Sequence, residues 1–311
     1  MTSAMKNMNF LNMPVAALLA ALLLSCADWR DVRPLDLDIR LPEQEAPALW
    51  ETYQASLRAY KQRPHTLLYA RLANAPEKAV NERSFLRSLP DSLDIVTLTN
   101  ADRFSAFDAE DMAWMKAVGT KVLYLVDLAL SPDAAALKAS LDRAVASVRD
   151  NGLDGYACTA TFKLDDPAHA ALVSTLVSTL RDARADGQLL VFEGDPLAVP
   201  AELRDGIDRF VLPTQTLENT YDITRAVRSA MDRCGLPASR LLLAATVGGE
   251  VADEHKATHP AVEELAGRVV SYGDLAGLAG LAVFNAEADY YHFGGNYTSV
   301  RAAIQQLNPS K

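Results

Sequence analysis

The chain is poor in cysteine. Cys26, Cys158 and Cys234 are its three cysteines in 311 residues, too few for a disulfide framework and at no spacing that suits a Cys/His zinc site. It also lacks any dense basic run. Thirty Lys and Arg stand against 40 Asp and Glu, a net charge of −10, which argues against nucleic acid or another polyanion as partner. No glycine-rich phosphate loop follows the first apolar run, since His65 to Asn74 (HTLLYARLAN) contains no glycine, and this weakens a nucleotide-binding reading. No Gly-x-Ser-x-Gly elbow and no Cys/His pairing marks a nucleophilic hydrolase. The histidines are scattered. His255 and His259 have i,i+4 spacing in EHKATHP, but Pro260 and the want of a third ligand argue against a metal, so neither metal nor cofactor is expected. The longest apolar run, Pro14 to Leu24, has 11 residues, about 16 Å of helix and roughly half a bilayer core, too short for a membrane span. What is present is a chain 50% hydrophobic and 23% charged, the composition of a globular protein with a large core.

The first 25 residues read as a signal peptide: Lys6 is a minimal positive region, the Pro14 to Leu24 run is the apolar region, and small Ser25 precedes Cys26. Leu23-Leu24-Ser25-Cys26 resembles a bacterial lipobox, in which cleavage before the cysteine leaves its thiol and new amine to carry acyl chains. Cleavage there removes one Lys and no acid, leaving a net charge of −11. Several acyl chains give stable membrane anchoring. Residues 26–47 are polar, charged and contain three prolines, which suits a tether, so the folded domain is expected over 48–311.

Beyond the tether the pattern alternates. Helical spacing over Ala48 to Lys61 is followed by eight short apolar, β-branched runs: Thr66–Leu72, Asp94–Leu98, Lys121–Leu125, Gly155–Thr161, Gln188–Phe192, Arg209–Leu212, Leu241–Val247 and Gly280–Phe284. Helical stretches lie between them at Asn81–Arg87, Ala109–Ala117, Pro132–Arg149, Pro167–Ala185, Ala198–Leu203, Tyr221–Arg233 and Pro260–Leu275, with a last one at Tyr297–Leu307. Strand starts recur about every 31 residues, the length of a βα unit with its crossover helix. Eight such units imply an α/β fold, a single-domain (β/α)8 TIM barrel, with an open doubly wound sheet as the alternative.

In such a barrel, function resides in the loops after the strands. Asn151-Gly-Leu-Asp-Gly-Tyr-Ala-Cys-Thr-Ala-Thr161, at the fourth strand, resembles the D-G-x-D-x-D-x-E signature of glycoside hydrolase family 18, aligned on Asp154 and Gly155. Cys26-Ala-Asp-Trp-Arg-Asp31, Val118 to Tyr124, Arg209 to Gln215, and Ala288-Asp-Tyr-Tyr291 with Tyr297 to Pro309 resemble, in the same order, segments of Bacteroidetes lipoproteins related to that family. The resemblance implies a barrel of the endo-β-N-acetylglucosaminidase kind. In the family the last Glu is the general acid, and the Asp two before it orients the substrate acetamide that attacks the anomeric carbon. Those acidic positions carry Ala157, Thr159 and Thr161 in this chain, a methyl and two hydroxyls that cannot protonate a leaving group.

The expected function is therefore glycan binding without hydrolysis, on an N-glycan or another glycan containing N-acetylglucosamine or mannose, by a lipoprotein of the outer membrane exposed at the cell surface. The resemblance implies a SusC/SusD-like transporter pair as partner. Candidate ligand contacts at strand ends are Asn100, Asp127, Thr161, Glu193, Gln215 and Asn285, with Gln215 at a family position that faces sugar. Two alternatives remain at this level: an active hydrolase with Asp127 and Glu193 as relocated acids, and a structural outer-membrane lipoprotein. By alternation Tyr156 points outward to the helices, and Trp114, with Met112 and Met115, belongs to the core. Tyr69 and Tyr124 are the aromatic candidates for the barrel mouth, and Asp154 is expected to accept backbone hydrogen bonds.

Overall fold

The computed structural model describes residues 41–309 except 76, 77, 79, 132, 161–165 and 272–276. The chain forms two units, residues 1–50 and 51–311. In the first, the described residues make a helical turn, α1 (Pro42–Glu45), and the start of α2 (Pro47–Gln62).

The second unit is a barrel. Its parallel strands are β1 (Leu67–Leu72), β2 (Ile95–Leu98), β3 (Lys121–Asp127), β4 (Gly155–Thr159), β5 (Leu189–Glu193), β6 (Arg209–Leu212), β7 (Leu241–Thr246) and β10 (Gly280–Phe284). They close in sequence order, with β10 pairing back to β1 through Leu67↔Gly280. Helices α3 (Ala106–Val118), α4 (Ala134–Asn151), α5 (Pro167–Ala183), α6 (Ala201–Arg204), α7 (Thr220–Cys234), α8 (Ala261–Ser271) and α9 (Thr298–Leu307) surround it. The (β/α)8 expectation holds, and each of the eight apolar runs became a strand within two residues of its expected ends.

Period-two alternation sorts the strand residues into two cores. Tyr69, Ile95, Leu123, Ala157, Val191, Val211, Leu242, Ala244 and Ala282 fill the interior. Their neighbours, including Leu68, Val96, Tyr124, Tyr156, Cys158 and Phe210, pack outward with the helices. Tyr156 faces outward as expected. Tyr124 does too, because Leu123 and Asp127 occupy the inner face of β3, so it does not reach the mouth as expected.

Helix ends follow local chemistry. Ser105 and Asp108 form a capping box on α3, and Gly119 ends that helix at φ 77°. The helix expected over Asn81–Arg87 is instead two 3-10 turns, Glu82–Ser84 and Leu86–Ser88, on either side of an extended Phe85. The Asn81 side chain takes the Arg83 amide, and the Arg87 amide bonds Asp111 Oδ2 at 3.2 Å, so those donors are lost to an α-helix. The Ala198–Leu203 segment is likewise divided at Pro200, which holds Val199 extended. A hairpin of β8 (Glu250–Ala252) and β9 (Thr258–Pro260) follows β7, and no run in the sequence foretold it. It carries His259, paired to Asp253 at 3.1 Å.

Candidate functional site

At the start of β4, Asp154 does what its position suggests: its Oδ2 accepts from the Val122 amide at 3.0 Å and its Oδ1 meets Lys121 Nζ at 2.8 Å. Gly155 is required beside it. Its φ is 134°, and a Cβ there would lie 2.1 Å from the Leu189 carbonyl oxygen. The Asp-Gly pair is thus a structural joint between β3, β4 and β5.

Above the joint, Ala157 and Thr159 point into the barrel. Ala157 is fully buried, and the Thr159 hydroxyl donates to the Glu193 carbonyl at 2.8 Å. Thr161 lies outside the described residues. In register, Asp127, Thr159 and Glu193 stand side by side on β3, β4 and β5.

Glu193 is the centre of the mouth and is almost wholly buried, at 3% exposure. Its Oε1 accepts from the Tyr69 hydroxyl and its Oε2 pairs with Nε and Nη2 of Arg71. Tyr69 has one proton, committed to Glu193, so the Thr97 hydroxyl donates to the Tyr69 oxygen in turn. Arg71 also lies over the Phe284 ring, 4.1 Å from its centroid. Burial, reinforced by the adjacent Glu193 charge, holds the Tyr69 phenol well above its ordinary range, so it stays protonated. Burial opposes the charge on Arg71, but Glu193 and then Asp127 outweigh it and raise the guanidinium. Both oxygens of Glu193 are therefore spent on the protein.

The other strand-end candidates divide. Asp127 accepts the Ala129 amide at 2.9 Å as the cap of a 3-10 turn, Leu128–Leu130. Asn100 is exposed and bonds the loop residue Asn74, its amide to Asn74 Oδ1 at 3.0 Å and its Nδ2 to Asn74 O at 3.3 Å. Asn285 is exposed in the left-handed region at φ 59°, at the start of a 3-10 turn, Ala286–Asp289. Gln215 sits half-buried on a 3-10 turn, Thr214–Thr216, after β6. Its Oε1 is shielded from solvent and accepts no hydrogen bond among the described residues.

In the segment after β10, Tyr290 is buried and donates to Glu82 Oε2, while the rings of Tyr291 and Phe293 are exposed. Asp289, fully buried, accepts the Val300 amide at 2.8 Å and meets His292 Nε2 at 2.9 Å, which fixes this segment to α9. Sequence reasoning missed Arg71. The signal was there: in Leu67-Leu-Tyr-Ala-Arg-Leu72 it shares the inner face with Tyr69, and an arginine on an inward face needs a buried acid.

No family model matches the sequence, and no curated protein does. Solved structures do. BT1044 is 17% identical, with a TM-score of 0.68 over 86% of this chain and 95% of that one. The endo-β-N-acetylglucosaminidase of Cordyceps militaris, in its apo form, is 17% identical, with a TM-score of 0.63 over 83% of this chain and 96% of that one. YKL-39, solved in the presence of chitooligosaccharides, is 10% identical, with a TM-score of 0.55 over 78% of this chain and 100% of that one. Others are chitinases and endo-β-N-acetylglucosaminidases of glycoside hydrolase family 18. The chain has the family 18 barrel fold.

Proposed function

We propose that this chain is a glycan-binding protein that holds a neutral glycan containing N-acetylglucosamine or mannose at the C-terminal mouth of its barrel and does not cleave it. The observation that carries the reading is the unpaired Oε1 of Gln215. A shielded acceptor without a donor costs about 1–3 kcal/mol, and a sugar hydroxyl or acetamide N–H removes that cost on binding. The exposed rings of Tyr291 and Phe293, on the segment after β10, suit the apolar faces of pyranose rings. Structural likeness to YKL-39 is in keeping with this.

The absence of hydrolysis follows from Ala157 and Thr159 at the acidic positions of β4 and from the pairing of Glu193, whose oxygens are engaged by Tyr69 and Arg71. The relocated-acid alternative needs Glu193 free to exchange a proton with substrate. Lipid attachment at Cys26, exposure at the cell surface of the outer membrane and work beside a SusC/SusD-like transporter complete the proposal, all resting on the sequence. Ground-state binding without transition-state contacts implies a Kd between micromolar and millimolar, about −8 to −4 kcal/mol.

Titration calorimetry with high-mannose N-glycan, chitotetraose and mannose oligosaccharides tests it. One class should bind, Gln215→Ala should weaken it about tenfold, and no glycan should be cut between pH 4 and 8. Silence with every glycan at millimolar concentration would favour a structural lipoprotein.

A further inference from the structure

The opposite pole of the barrel, where the strands begin, holds a feature that the glycan reading does not use. A cavity of about 470 Å³ opens there between the end of α2 and the starts of β1 and β6. Among the described residues its charged lining is Lys61, Arg63 and Arg209, with His65 beside them and no Asp or Glu. In a chain with ten more acids than bases, a pocket lined by bases alone is a departure from the average surface. A second cavity of about 380 Å³ adjoins it through Lys61, Gln62, Leu67 and Arg209 and adds Arg58, Lys116 and Lys121. The two acids of that second cavity are already engaged: Asp94 with His65 and the Leu68 amide, both at 2.8 Å, and Asp154 with Lys121 and Val122.

The cations of the first cavity are only partly satisfied. Lys61 Nζ donates to Asp91 O at 2.6 Å and Thr120 Oγ1 at 2.7 Å, neutral acceptors that take two of its three protons. Arg209 donates through Nη1 to Asp208 O at 2.8 Å, while its Nε is shielded from solvent and has no acceptor among the described residues. Among the described residues, no carboxylate lies within ion-pair distance of Lys61, Arg63 or Arg209. Burial lowers Lys61 to about 8 against the opposing pull of the Asp94 and Asp91 charges, neither of which lies within ion-pair distance of its ammonium.

We infer that this pole is an anion-binding site, built by Lys61, Arg63 and Arg209, for the doubly charged phosphate group of a small phosphorylated ligand. A single carboxylate would leave most of this charge uncompensated. A phosphate supplies two charges and several acceptor oxygens, enough for the third proton of Lys61 and the Nε of Arg209 together. The volume suits a phosphate with a small organic group attached. Such a phosphate can come from a free metabolite or from a lipid headgroup, and the chemistry is the same for both.

The test uses the full chain carrying Cys26→Ser, so that no acyl anchor confuses the membrane arm. Calorimetry and thermal melts with inorganic phosphate, against chloride at matched ionic strength, should show saturable binding and a higher Tm. Arg209→Gln and Lys61→Met should each weaken it about tenfold, the loss of one charge-assisted hydrogen bond. Arg63→Glu, a change at an exposed residue that leaves the barrel interior untouched, should weaken it as well and serves if the buried variants fail to fold. Co-sedimentation with phosphatidylcholine vesicles, with and without phosphatidic acid, separates the sources: binding only to phosphatidic acid vesicles identifies a headgroup, and binding of inorganic phosphate identifies a free ligand. If neither binds, if chloride acts equally, or if Arg63→Glu binds like the parent, the inference is wrong. Glycan binding at the other pole should not change in Arg63→Glu.

Discussion

Removing Arg71 tests whether the barrel mouth is organised around one buried charge pair. The Arg71 side chain is 23% exposed and that of Glu193 is 2% exposed, so Arg71→Met leaves a carboxylate in the barrel with only the Tyr69 hydroxyl to compensate it. Breaking one side of a buried pair costs about 3–5 kcal/mol. Against the 5–15 kcal/mol that typically separates folded from unfolded states, that is a large share, and at about 2–4 °C per kcal/mol the Tm should fall by roughly 10 °C. Glu193→Leu strands the Arg71 charge and the Tyr69 proton, but Arg71 can turn toward solvent, and the loss should be about 2–4 kcal/mol. In the double variant no ion is left unpaired. The remaining cost is the orphaned Tyr69 hydroxyl, about 1–3 kcal/mol, so the double variant should be more stable than Arg71→Met alone. A double-mutant cycle in urea, with circular dichroism as the readout, measures this as a coupling of at least about 2 kcal/mol. Additive losses, within about 0.5 kcal/mol, would refute the claim that Arg71 and Glu193 neutralise each other.

Three further outcomes follow from the same structure. His65 has acceptors at both ring nitrogens, Arg63 O at 2.7 Å and Asp94 Oδ1 at 2.8 Å, and the Asp94 bond foremost raises its folded pKa against the opposing effect of burial. A raised folded value stabilises fully below the ordinary value of about 6.5 and is lost as pH rises through the folded one, so parent Tm should fall across that window, and less so in His65→Gln. Gly155→Ala should fail to accumulate folded protein, because its Cβ meets the Leu189 carbonyl in a backbone conformation that disfavours a side chain; a soluble variant melting within a few degrees of the parent would contradict this. Cys26→Ser should abolish labelling by a fatty-acid probe in the producing cell and release the protein to the soluble fraction, and unchanged labelling would end the lipoprotein proposal.

The fold was legible because each strand is buried on both faces and so reads as a continuous apolar run, such as Leu241 to Ala245. Turn chemistry was legible in part: Gly119, Gly152 and Gly235 close helices in the left-handed conformation, as glycine after a periodic stretch implies. The 3-10 turns after β1 were hidden because their cause is distant in sequence, the Asp111 carboxylate that takes the Arg87 amide. For a similar reason the site was only half legible. Strand ends located Glu193 and Asp127, but the partners that decide what Glu193 can do, Tyr69 and Arg71, lie more than 120 residues away.

The fourth strand divides in a comparable way. The segment that resembles the family 18 signature combines a structural half, Asp154-Gly155, with a chemical half, Ala157, Thr159 and Thr161, where that signature has acids. The structural half is held by steric and hydrogen-bonding needs that any residue but glycine would violate at 155, so it persists whatever the mouth does. The chemical half carries no such constraint, since a small or hydroxylated side chain fits the inner face and Thr159 even finds an acceptor in the Glu193 carbonyl. The carboxylate central in the mouth is Glu193, and its pairing with Arg71 and Tyr69 engages both of its oxygens. On the proposed glycan reading, therefore, the acceptor of Gln215, unpaired among the described residues, and not Glu193, is the group on which ligand affinity should depend.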